Sequence, residues 1–216
     1  MLEDYEIQEN KEVFCNILWD LDAANGGREG TDVTGLINYL DDNGFFTAPA
    51  STKYHCSFPG GLCLHSLNVY RALVSLCDRF ISDDKYSKSS LIIVGLLHDL
   101  NKINFYEETV KNEKVYSNYG KKCDELGNFD WVATKSYKVK DAKDRKILGN
   151  KGTVSYLIAS QFIPLTNEET MALMYQYSAV DREPVNDLSE ILAKFNLCVL
   201  LHSADIIATY CIEKND

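Results

Sequence analysis

No apolar run in this sequence approaches the roughly 20 residues that cross a bilayer, so a membrane-spanning role is not expected. The first residues, Met1-Leu2-Glu3-Asp4, are acidic where a secretory leader is basic. There is no CxxC pair among the seven cysteines, which speaks against a zinc ribbon or a dithiol redox motif. Several of them, Cys198 among them, lie inside apolar runs and read as small buried hydrophobes in a reducing compartment. The expected location is therefore the cytoplasm. Basic charge is short as well: 22 Lys and Arg stand against 32 Asp and Glu, for a net charge of −10. A stable nucleic-acid complex needs a basic footprint and is not expected. A small anionic ligand remains compatible, because a metal ion and a few lysines can reverse the sign locally. Internal repeats and low-complexity segments are also missing.

What the chain does have is helical periodicity. Its 216 residues suffice for a single domain spanning 1–216 with one sizeable core. Residues 4–24 carry Tyr5, Val13, Phe14, Ile17, Leu18 and Leu21 at helical spacing, and Asn25-Gly26-Gly27 ends the run. Thr31 or Asp32 is placed to cap a short helix closed by Gly44. A loop bearing Lys53, His55 and Gly60-Gly61 leads into a helix over 62–81, and Ser87–Ser90 offer caps for another over 91–104. Residues 105–150 break the pattern. They lack a helical period, and alternation in 114–119 and 129–137 predicts a β-hairpin or ribbon. Ten Lys and Arg fall here, which suggests a lid over an anionic substrate. Helical patterns resume over 153–163, 167–177 and 188–212. The expected class is all-α, a helical bundle with a short β-hairpin insertion.

The stretch Leu91–Asn104, LIIVGLLHDLNKIN, carries the chemistry. His98 and Asp99 end a strongly apolar run, and burying both without a partner is costly. A divalent cation satisfies both at once. Lys102 shares a helical face with them. His65 comes from the preceding helix, and Asp205 interrupts the apolar run of the last one. Two imidazoles and two carboxylates suit Mn, Fe, Zn, Mg, Co or Ni. His202, one turn before Asp205, is expected behind the ligands. His55, with Tyr54 and Gly61 on the glycine loop, is expected to meet the substrate.

The order His65, His98-Asp99, Asp205, set in GGLCLHSLNVY, GLLHDLNK and LLHSADIIATY, resembles the HD-domain metal-dependent phosphohydrolases. FFTAPASTKYH before His65 is similar to small HD hydrolases of bacteria and phages. The resemblance covers roughly residues 28–211, the insertion excepted. It implies a helical domain with His65, His98, Asp99 and Asp205 on one divalent ion. It also implies hydrolysis of a nucleotide or related phosphate ester, with Lys102 near the phosphate. In the mechanism read from the residues themselves, Asp99 orients or deprotonates the attacking water, and His55 contacts the phosphate or protonates the leaving group. Two-metal members of the family use further histidines where this chain has Asn150 and Gln176, and no histidine lies between positions 99 and 201. A single ion is therefore expected. The alternative is a degenerate member that binds or sequesters a nucleotide without cleaving it.

Overall fold

The computed structural model describes residues 2–81, 85–176 and 188–213. Its longest element is the helix α3 (Gly61–Phe80), which packs against α1 (Asp4–Leu18), α4 (Lys88–Leu97) and α8 (Asn196–Ile207). Leu62, Leu67, Val69 and Leu73 of α3 are buried in a core shared with Phe14, Phe45, Ile92, Leu96, Leu197 and Leu201. The helix α2 (Val33–Asp42) starts at Asp32, whose carboxylate accepts from the Gly35 amide at 2.8 Å. Gly44, at φ 73°, follows its end in the left-handed region that favours glycine. The helices α5 (Lys151–Ala159), α6 (Asn167–Tyr175) and α7 (Leu188–Lys194) complete the helical part.

Two residues lock the early loops onto this core. Arg28 reaches Glu169 of α6 through two bonds of 2.6 and 2.7 Å and also donates to the Pro164 carbonyl. Glu169 is fully buried, and Ser90 and the Thr166 amide donate to it as well. Burial opposes its charge, but the Arg28 guanidinium and the amide hold its carboxyl below the usual range.

The fold is mixed α/β, not all-α. Among the described residues 55% are helical and 14% are strand. The strands β1 (Tyr106–Tyr116), β2 (Lys122–Asp124) and β3 (Gly127–Val139) form an antiparallel sheet in the order β1-β3-β2. Tyr106 pairs with Val139 and Tyr116 with Phe129, so β1 and β3 stay in register along the whole of β1. The reason lies in the sequence: β-branched and aromatic residues alternate here with polar ones and satisfy a period of two. Tyr116, Phe129 and Trp131 share one face with Lys114, whose ammonium lies 4.4 Å from the Phe129 ring centre. Of the strand residues, only Phe129 is buried.

Helix ends differ from the sequence expectation in several places: α5 stops at Ala159, and the run over 188–212 divides into α7, α8 and a π turn over Ala208–Ile212. α1 stops at Leu18 and continues as a tighter turn over Trp19–Leu21. α4 stops at Leu97, so His98-Asp99 sits at the break between α4 and a short 3₁₀ turn over Leu100–Lys102. The His98 Nδ1 lies 2.9 Å from the Gly95 carbonyl and takes up an acceptor that a continuing helix would use. Asp99, at φ −104° and ψ 21°, occupies the bridge region between helix and strand conformations.

Candidate metal centre and cleft

The site begins with a close approach of two helices. A Cβ added to Gly95 of α4 would lie 2.9 Å from the Tyr70 Cα of α3. No larger residue fits between these backbones without moving them. The approach brings His65 and His98 together, both fully buried, with their Nε2 atoms 3.4 Å apart. Gln176 donates to the His98 carbonyl at 2.7 Å and holds that backbone in place.

The two carboxylates complete the centre. Asp99 Oδ2 lies 3.4 Å from His98 Nε2, 3.5 Å from His65 Nε2 and 2.5 Å from the Lys102 ammonium. Asp205 Oδ1, from α8, lies 3.2 Å from His65 Nε2. Ligand atoms of His65, His98 and Asp205 all fall within 4.8 Å of one another, and Asp99 touches both imidazoles from the Lys102 side. Burial opposes charge on Asp99, yet Lys102 and His98 hold its carboxyl well below the usual range. Asp205 likewise resists burial and is brought down to about 2 by His65. His65 is buried, which disfavours its charge, but Asp205 and Glu213 outweigh this and push it up to about 9.

These shifts share one cause: carboxylates and imidazoles packed together out of solvent, in a group that could hold a cation. The Gly95 carbonyl requires a proton on His98 Nδ1, which leaves His98 Nε2 as a lone pair aimed inward. That lone pair, His65 Nε2 and an Asp205 oxygen lie close together, and Asp99 Oδ2 adjoins the two imidazoles. A proton on His65 offsets the negative charge in part. A divalent ion offsets it fully, and the nitrogen-and-oxygen donor set suits the borderline and hard ions expected from the sequence.

Beside the centre opens a cleft of about 300 Å³. Lys102 and Asp205 form its floor, and Tyr54, His55, Phe105, Tyr106, Lys151, His202, Thr209 and Tyr210 are among its walls. The His55 ring centre lies 4.7 Å from that of His65. Burial, with His65 and Lys102 nearby, lowers the His55 pKa to about 4, so its imidazole is neutral. The Nε2 of His55 and the Nδ1 of His202 are buried and bond to nothing among the described residues. Lys102 is buried too, which opposes its charge, but Asp99 keeps the ammonium protonated.

Most of the residues singled out in the sequence therefore meet: His55, Tyr54, His65, His98, Asp99, Lys102, His202 and Asp205. Gly61 does not line the cleft. It opens α3 beneath the Cys56 carbonyl, 2.0 Å from where a Cβ would stand, so its role is packing. The lysines of the insertion do not line this cleft either. Lys111, Lys114, Lys135 and Lys138 pair with acids of the same sheet, and only Phe105 and Tyr106 of that segment reach the walls. Asn150 caps α5 by accepting from the Gly152 amide. Asp181-Arg182-Glu183, which follow an apolar helical run and read from the sequence as a solvated loop or as groups reaching the site mouth, lie outside the described residues. The sequence reading missed Glu213, which is buried against His65, and Asn68, which contacts Glu213. Asn68 falls one helical turn after His65, a spacing that could have marked it.

Comparisons with protein-family profiles, with curated proteins and with solved structures return no match. No single helix among the described residues is long and apolar enough to cross a membrane.

Proposed function

We propose that this chain is a metal-dependent phosphohydrolase of the HD type. It acts on a nucleotide or related phosphate ester and uses one divalent ion held by His65, His98, Asp99 and Asp205. The observation that carries this reading is the gathering of His65, His98 and Asp205 ligand atoms within 4.8 Å of one another, with Asp99 against both imidazoles, beside a cleft that Asp205 and Lys102 line. Three of the motif segments that resemble that family supply the same residues, and the fourth supplies His55. When bound, the ion supplies Lewis-acid polarisation of a phosphoryl oxygen and a water acidic enough to attack near neutral pH.

The chain's own residues do the rest. Lys102 keeps its charge at the cleft floor and neutralises the phosphoryl group as negative charge builds. Asp99 is held ionised and orients the attacking water as a hydrogen-bond acceptor. The water oxygen forms a bond to phosphorus while the ester P–O bond breaks; the proton that the water gives up passes to solvent, and the leaving oxygen takes one from solvent, so the net change is ester plus water to phosphate plus alcohol. His55 is neutral, and its Nε2 is available to the phosphoryl or leaving oxygen. Tyr54, Phe105, Tyr106 and Tyr210 offer faces on which a base can stack, worth about 1–3 kcal/mol for one stacked base. Buried free thiols at Cys56, Cys63, Cys77 and Cys198 agree with a cytoplasmic location.

The test is a matrix of divalent metals against nucleotides, read as phosphate release, with elemental analysis of the same protein. His98→Ala and Asp99→Ala should each lose both the ion and the activity. Activity retained in a metal-free variant would sink the proposal. A nucleotide that stays tightly bound and unaltered would instead favour sequestration without turnover.

A further inference from the structure

Glu213 stands outside the four acceptors, yet it is buried against one of them. Its carboxylate oxygens lie 3.0 and 3.1 Å from His65 Nδ1, on the far side of the ring from Asp205. Asn68 Nδ2 donates to it at 3.0 Å, and the Cys56 thiol also faces it. Cys56 holds this place in a left-handed backbone conformation, φ 43°, which costs a non-glycine residue energy and is found chiefly where function fixes it.

The route by which Glu213 arrives is unusual. α8 does not end as a regular helix but widens into a π turn over Ala208–Ile212, and the Glu213 amide bonds to the Ala208 carbonyl at 2.9 Å. In a regular α-helix, position 213 would be rotated by about 80° from Asp205. The wider turn removes most of that rotation, so Asp205 and Glu213 grip opposite nitrogens of one imidazole. π turns inside helices are frequent at functional sites.

Two roles are open to such a carboxylate: ligand to an ion of its own, or partner to the imidazole. Ligand atoms of His55, His65 and Glu213 do lie within 4.8 Å of one another. The hydrogen-bond inventory favours the second role: Glu213 faces three donors, and a proton on His65 Nδ1 leaves Nε2 free to serve the centre on the other side of the ring.

We propose that Glu213, carried by the π turn and steadied by Asn68, is a positioning residue that fixes the proton of His65 on Nδ1 and so presents Nε2 to the ion. The proposal rests on the metal-site reading above. Outer carboxylates of this kind raise the basicity of the imidazole, and their loss costs about 10–100-fold in metal affinity.

The experiment is Zn²⁺ affinity by chelator competition on the full chain, with ¹⁵N spectra of His65 in the zinc-loaded protein. Glu213→Gln should weaken zinc binding about 10–100-fold and should shift the Nδ1 resonance, a signature that loss of packing alone does not produce. Glu213→Asp should recover part of the affinity, and Asn68→Ala should lose less than Glu213→Gln. Zinc binding unchanged in Glu213→Gln overturns the proposal. A wild-type chain with two ions, one of them lost in Glu213→Gln, makes Glu213 a ligand and overturns it too. A wild type that takes up no ion removes the reading on which it rests. Normal zinc binding that Glu213→Gln weakens, without phosphate release from any nucleotide, supports this inference while refuting hydrolysis.

Discussion

Proton and metal compete for the same nitrogen, and this gives the most exacting test of the site. His65 titrates near 6.5 in an unfolded chain and at about 9 in the folded, metal-free protein, where burial is outweighed by Asp205 and Glu213. A shift of that size corresponds to about 3 kcal/mol. Because the folded value is the higher one, this stability is fully present below pH 6.5 and is lost as pH rises through 9. Urea unfolding of the metal-free protein should therefore weaken by about 3 kcal/mol over that window. Zinc must displace the proton from His65 Nε2, so its apparent affinity should rise about tenfold per pH unit below pH 9. Calorimetry in buffers of different ionisation enthalpy should count close to one proton released from His65 on binding. Asp99 and Asp205 contribute none near neutrality, since both are held ionised. Zinc affinity independent of pH between 6.5 and 8.5, or a metal-free protein equally stable at both ends of the window, would refute this account of the acceptor pocket.

Two further predictions concern the frame. Arg28→Ala leaves the Glu169 carboxylate buried without its bidentate partner and should cost about 3–5 kcal/mol in urea unfolding; adding Glu169→Gln should return part of it. Replacing residues 111–134 by a short turn keeps the pairs from Tyr106↔Val139 to Val110↔Lys135. It removes only one buried side chain, Phe129, which packs on its own sheet neighbours, so the urea midpoint should stay where it is, and a fall in the midpoint would show that the sheet helps hold the helical core together.

The helices α3 and α4 and the residues they bring together were legible because they rest on short-range signals: a 3.6-residue period, serine caps, and a His-Asp doublet too polar for its run. The class was misjudged because 106–139 was treated as a decoration on a bundle, whereas it forms eleven register pairs between two strands. The end of α4 was missed because it depends on a side chain, His98, competing for a backbone carbonyl, and periodicity does not register that competition. Glu213 was invisible for a related reason. Its position relative to Asp205 follows from a π turn, and counting residues at α-helical spacing points it elsewhere. Gly61 was misassigned because a glycine beside a loop histidine looks like room for a ligand, while here the room is filled by the Cys56 carbonyl.

Gly95 has no side chain, yet that absence sets how closely α3 and α4 approach each other beside His65 and His98. Carbon atoms in contact normally stand about 3.5–4.0 Å apart, and an alanine here would put its methyl 2.9 Å from the Tyr70 Cα. The two helices would have to part by about 0.6–1.1 Å. Imidazole binds zinc at about 2.0–2.1 Å, while oxygen ligands hold calcium at about 2.3–2.6 Å. In the proposed centre, a displacement of that size would exceed the difference between such bond lengths, so a larger residue at position 95 would loosen the hold of His65 and His98 on any ion between them.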